Sequence, residues 1–208
     1  MGHVPESESS EIEIMSFLEA KKKSENSRYD HDKWIYIPED YKEYRYVLGT
    51  VGKNPLIVMG VNPSTAEADK LDNTLRSVEK IVKANGYDSF IMLNVYAQRA
   101  TNPKDMDKIF NQNLHKENMA AFRWALDRCG TNPAILAAWG TIIEESTYLK
   151  WCLKEIVKDI VKHKDEKQVK WYKAGKISKK GHPHHPLYLK SDTKLEEFDM
   201  EGYLQLLG

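Results

Sequence analysis

The chain has 208 residues, 41% of them hydrophobic, which suits one soluble globular domain with a substantial core. Lys plus Arg and Asp plus Glu both number 31, so global charge argues neither for nor against a nucleic-acid partner. No apolar run approaches the roughly 18 residues of a membrane span, and the first residues lack the apolar core and cleavage site of a signal peptide, so a cytoplasmic protein without membrane contact is expected.

Residues 1–28 are rich in Glu, Ser and Lys. A short helix is expected around 11–23, and the segment as a whole reads as a mobile tail. Residues 29–208 then read as a single α/β domain. Segments 33–37 (KWIYI) and 44–50 (YRYVLGT) have the aromatic and β-branched content of strands. Residues 55–61 form a continuous apolar run, as expected of a strand buried on both faces. Residues 74–85 predict a helix whose face is Leu75, Val78, Ile81 and Val82, ended by Gly86. A second buried strand is expected at 89–95, a helix at 116–129, a third strand at 134–139 and a long helix at 141–163. A fourth strand at 168–173 and a short helix within 195–207 complete the pattern. Strands alternating with helices imply right-handed crossovers and a three-layer α/β/α fold around a mainly parallel sheet of about four strands. Cys129 and Cys152 lie in helical patterns and read as reduced core thiols.

In an open α/β sheet, ligands bind beyond the carboxyl ends of the strands. Four polar segments are expected there: Asn62-Pro63-Ser64-Thr65, Asn94 with residues 96–101 (YAQRAT), Trp139-Gly140-Thr141, and 181–189 (GHPHHPLYL). Asn62 either caps a turn or orients a water or a base edge. Asp72 either caps the following helix or acts as a base, and Thr74 and Arg76 with it offer a phosphate or ribose site. Asn94 ends a buried strand and needs its amide satisfied, by a loop or by a ligand. Arg99 either braces a loop or meets a ligand. His182, His184 and His185 lack the spacing of a common zinc site, so no metal is expected. Near neutral pH they can instead donate protons or stabilise charge. Residues 154–180 hold ten Lys against Glu155, Asp159, Asp165 and Glu166, with Trp171 and Tyr172 interleaved. That block reads either as a solvated surface or as a nucleic-acid backbone contact through Lys170, Lys173, Lys176, Lys179 and Lys180.

The segments Y-R-Y at 44–46, G-V-N-P-S-T-A at 60–66, D-N-T-L-R at 72–76, N-V-Y-A-Q-R-A-T-N-P at 94–103 and N-L-H-K-E-N at 113–118 resemble an uncharacterised family of bacterial and phage domains of unknown function. More distantly, the layout resembles the mismatch-specific branch of the uracil-DNA glycosylase superfamily. There a G-I-N-P-G loop follows the first core strand, similar to residues 60–64, with Ser64 in place of the second glycine. That resemblance implies that Asn62 positions an attacking water. It also implies that Asn94 and Arg99 are polar site residues, and that His182 or His185 presses on the sugar from an H-P loop. Tyr96 and Trp139 are candidates for the aromatic that stacks on the base. The implied activity is water attack at an N-glycosidic bond of a base or nucleotide in DNA, with no cofactor. Two other readings stay open: a protein that binds a nucleotide or nucleic acid without cutting it, and a hydrolase of a free nucleoside or nucleotide with Asp72 as base.

Overall fold

A computed structural model describes residues 12–164 and 168–207. Seven strands make one sheet: β1 (Trp34–Ile37), β2 (Val47–Thr50), β3 (Pro55–Gly60), β4 (Ser89–Asn94), β5 (Ala134–Ala137), β6 (Lys170–Ala174) and β7 (Leu195–Glu197). Five α-helices accompany them: α1 (Phe17–Ser24), α2 (Asn73–Ala84), α3 (Gln112–Arg128), α4 (Thr147–His163) and α5 (Met200–Leu206). The strand order is β1-β2-β4-β3-β5-β6-β7. The centre, β4-β3-β5-β6, is parallel, while β1, β2 and β7 add antiparallel edges. The sheet is thus α/β and mostly parallel, but it has seven strands instead of about four. The three additional strands are short: β2 and β7 pair with the two edges of the parallel set, and β1 pairs with β2.

Period-two alternation along the central strands sorts the side chains into two cores. Ile57, Met59, Ile91, Leu93, Ile135 and Ala137 face α1, α3, α4 and α5. Leu56, Val58, Phe90, Met92 and Leu136 face α2 through Leu75, Val78 and Val82. Every central position is therefore buried, which is why these strands read as unbroken apolar runs. The chain leaves β3 through α2 to reach β4 on one side, then returns through α3 to β5 on the other. This reversal puts the topological switch point between the carboxyl ends of β3 and β5.

Within the segment expected as a tail, residues 1–11 lie outside the described residues and the remainder packs on the domain. Phe17 and Ala20 are buried, and Met15 accepts from the Tyr46 hydroxyl at 2.7 Å while its N–H donates to the Tyr44 hydroxyl. The long helix expected from 141 begins at Thr147, after a 3-10 turn at Gly140–Glu144. Among the described residues, no helix is long and apolar enough to cross a membrane.

Candidate functional site

The loops after β3 and β4 run side by side. The ladder continues past the strand ends, with Val95 N–H on the Gly60 carbonyl, Tyr96 N–H on Val61 and Ala100 N–H on Pro63, each at 2.9 Å. Asn62 locks them: its amide Nδ2 donates to the Pro63 carbonyl at 3.0 Å and to the Ala100 carbonyl at 2.8 Å. Both hydrogens are therefore spent, and Oδ1 remains as an acceptor. These loops, the start of α2 and the 3-10 turn Pro186–Tyr188 enclose a cleft of about 430 Å³ at the switch point. That volume lies in the range of small-ligand sites.

Asn62, Ser64, Asp72, Thr74 and His185 all line this cleft. Asp72 caps α2, its Oδ1 accepting from Leu75 N–H at 2.9 Å. His185 Nδ1 accepts from Leu187 N–H at 3.4 Å, which puts the proton of the neutral ring on Nε2 and makes that atom a donor. Burial lowers the His185 pKa, and the Asp72 charge partly opposes this. Asn94 is buried beside the floor. A Cβ built on Gly60 would lie 2.9 Å from its Oδ1, and neither amide atom has a partner among the described residues. Its backbone carbonyl accepts from Asn118 Nδ2 at 2.8 Å.

The other expected site residues lie elsewhere. Pro63 is buried as the turn itself, and Thr65 and Arg76 point to solvent. Arg99 sits beneath the loop, donating to the carbonyls of Ser64 and Ala66 and to the Tyr36 hydroxyl. Tyr96 and Trp139 belong to the core on the far face of the sheet. His182 faces that side too. Trp139 Nε1 donates to the Tyr203 hydroxyl at 2.8 Å, which leaves that hydroxyl to donate to His182 Nδ1, also at 2.8 Å. His182 Nε2 then lies 3.4 Å from Glu144, so this histidine ties its loop to α5. Of the lysines, Lys170 starts β6 and so lies at the opposite edge of the sheet. Lys173 pairs with Glu196, and Lys180 with Glu144. Lys176 and Lys179 are exposed on the loop that follows β6 at the cleft edge. Among the described residues, no group of three His, Cys, Asp or Glu is placed to hold a metal ion.

The cleft also takes in Arg45, Asn73, Thr101 and Tyr188, which sequence reasoning does not single out as site residues, although Thr101 and Tyr188 fall within the polar segments expected at this edge. Tyr188 stands at the mouth, 78% exposed. For Arg45 a signal existed. Tyr44 and Tyr46 alternate around it in a strand-like pattern, so a charged side chain had to point to the opposite, equally buried face.

These features define an α/β protein with a cleft at the switch point of its sheet, its largely apolar lining set with a few polar side chains. The chain belongs to the DUF1643 family, described as a protein of unknown function, which matches residues 45–187. No curated protein matches the sequence. Among solved structures, the chain is similar to carboxyl esterase 2 from the mycorrhizal fungus Tuber melanosporum, with 12% identity and a TM-score of 0.32. The likeness covers 62% of this chain and 43% of the esterase.

Proposed function

We propose that the protein acts on a base or nucleotide by water attack at an N-glycosidic bond, as the resemblance to uracil-DNA glycosylases suggests, and that the cleft takes one nucleotide unit at a time. The observation that carries this reading is that Asn62, Asp72 and His185 share one cleft. Asn62 Oδ1, an acceptor only, holds the attacking water through one of its O–H groups. Asp72, with one oxygen committed to the helix cap, takes the water proton on the other. The bond electrons leave with the base, and His185 Nε2–H donates a hydrogen bond to the anionic leaving group. The amide of Asn94, buried without a partner among the described residues beside Gly60, would read a base edge that reached the cleft floor, and Tyr188 would offer the stacking ring that Tyr96 and Trp139 do not supply. A nucleic-acid strand entering from the carboxyl edge would pass Lys176 and Lys179.

The test is release of free base. The protein is incubated with free nucleosides and nucleotides, and with single- and double-stranded DNAs carrying uracil, mismatched or modified bases. Release from at least one class is expected, with His185→Ala slower by about 10²-fold or more. Absence of release across the whole panel would sink the hydrolytic reading. The non-catalytic reading, a nucleotide-binding protein, is favoured by one feature: both Asn62 amide hydrogens are already committed to carbonyls of the fold.

A further inference from the structure

Arg45 and Arg99 are 2% and 3% exposed, side by side beneath the loop that follows β3. The Ala66 carbonyl accepts from Nη1 of both, at 3.0 and 3.1 Å. Among the described residues, neither guanidinium has a carboxylate within ion-pair distance. A buried charge is costly unless it is paired, and two like charges add repulsion to desolvation. Burial first, and the neighbouring Arg99 second, push the Arg45 pKa down to about 9.

The two arginines differ in what they do. Arg99 is absorbed by the fold: besides Ala66 it holds the Ser64 carbonyl and the Tyr36 hydroxyl, and it stacks on the Tyr41 ring at 4.1 Å. Arg45 has the Ala66 bond alone. Its Nε, like that of Arg99, is buried without a partner among the described residues, but of the two only Arg45 lines the cleft. The first turn of α2 lines the same cleft with Asn73 and Thr74. Their N–H groups have no intrahelical acceptor, and they carry the positive end of the helix dipole. Asp72 opposes an anion there, so the charge balance is set by Arg45 against Asp72.

We propose that Arg45 binds a phosphate group of the cleft's ligand, with the N–H groups of Asn73 and Thr74 completing the anion site, so that the ligand is a nucleoside monophosphate and not a nucleoside. The nucleotide part rests on the function proposed above; the phosphate part does not. A guanidinium fork matches phosphate oxygens, and an anion at Arg45 would supply the missing counter-charge.

Calorimetric titration with inorganic phosphate at constant ionic strength is the first test. Wild-type protein is expected to bind it, Arg45→Met to bind about tenfold or more weakly, and Asp72→Asn to bind more tightly. Opposite signs from two substitutions in one cleft cannot come from loss of folding. Equal affinity in wild type and Arg45→Met, or weaker binding in Asp72→Asn, would overturn the proposal. The second arm titrates nucleosides, their 3′- and 5′-monophosphates, and short single-stranded oligonucleotides. A tenfold or greater preference for a monophosphate over its nucleoside, lost in Arg45→Met, supports it. Arg45-dependent binding of oligonucleotides only would assign the phosphate to a strand and reject the mononucleotide. Arg45-dependent phosphate binding without base release would reject hydrolysis alone. Base release from nucleosides and monophosphates with equal affinity would reject the phosphate site alone.

Discussion

Arg45 and Arg99 show how two identical side chains in one buried layer come to opposite ends. Arg99 satisfies three acceptors, so Arg99→Met leaves the Ser64 carbonyl and the Tyr36 hydroxyl short of a donor, while the Ala66 carbonyl keeps Arg45. Its unfolding free energy is expected to fall on the order of 3 kcal/mol in urea titrations, because bonds to a charged group outweigh the relieved repulsion. Arg45→Met is expected to behave differently. The Ala66 carbonyl keeps Arg99 as donor, the unpaired charge is removed, and an apolar chain of similar length fills the space. Stability in the absence of ligand should be unchanged or higher by on the order of 1 kcal/mol. A loss above about 2 kcal/mol on Arg45→Met would show that this arginine is structural. Much of this layer was legible in sequence only as motif: Asn62, Asp72 and His185 stood out because polar residues follow apolar strands. Arg45 was hidden because it sits inside the strand-like run itself, while its acceptor, the Ala66 carbonyl, lies 21 positions away and the like charge beside it, Arg99, lies further still.

The central elements were legible for a physical reason. β3, β4 and β5 are buried on both faces, so composition alone marks them, and α2 carries a regular apolar stripe between an Asp72 cap and Gly86. β7 was not legible, since Leu195-Glu196-Glu197 has one apolar residue and is a strand only because β6 offers an edge. The attachment of β2 to the parallel set depends on close approach at Gly49, which faces Ile91 of β4. A Cβ there would lie 2.4 Å from the Phe90 carbonyl oxygen and 3.1 Å from Ile91 Cα. These are backbone atoms and cannot turn aside, so Gly49→Ala should destabilise by at least about 2 kcal/mol and loosen β1 and β2 first. Amide exchange would show faster opening in residues 34–50 than in β3 and β5. At the opposite end of the helix layer, Asp72→Ala should cost about 1 kcal/mol through loss of the α2 cap, while Asp72→Asn preserves the cap and changes only the charge. Thermal unfolding of the two variants side by side separates the structural role of this residue from its role in the cleft.

At the scale of the whole molecule, pH links the buried histidines to global stability. His115 on α3 is 2% exposed, packed between Phe110 and Trp151 with ring centroids 5.6 and 5.2 Å away. Neither ring nitrogen has a partner among the described residues. Burial lowers its pKa to about 4, with the Asp159 charge pulling the other way. Above pH ~6.5 the imidazole is neutral in both folded and unfolded chains and contributes no pH dependence. Between about 6.5 and about 4 the unfolded chain takes up a proton that the folded chain refuses, so stability falls as pH falls, by roughly 3 kcal/mol once pH 4 is reached. His185 shifts in the same direction and adds to the slope. His115→Phe keeps a ring between its neighbours and removes the titration. Urea unfolding of wild type and His115→Phe at about pH 7.5 and pH 5 should then show wild type losing about 2 kcal/mol more than the variant. Exposed carboxylates titrate alike in both proteins and cancel in that difference. Parallel losses in the two proteins would mean that the imidazole meets a proton as readily in the folded chain as in the unfolded one, and that this region of α3 opens to water.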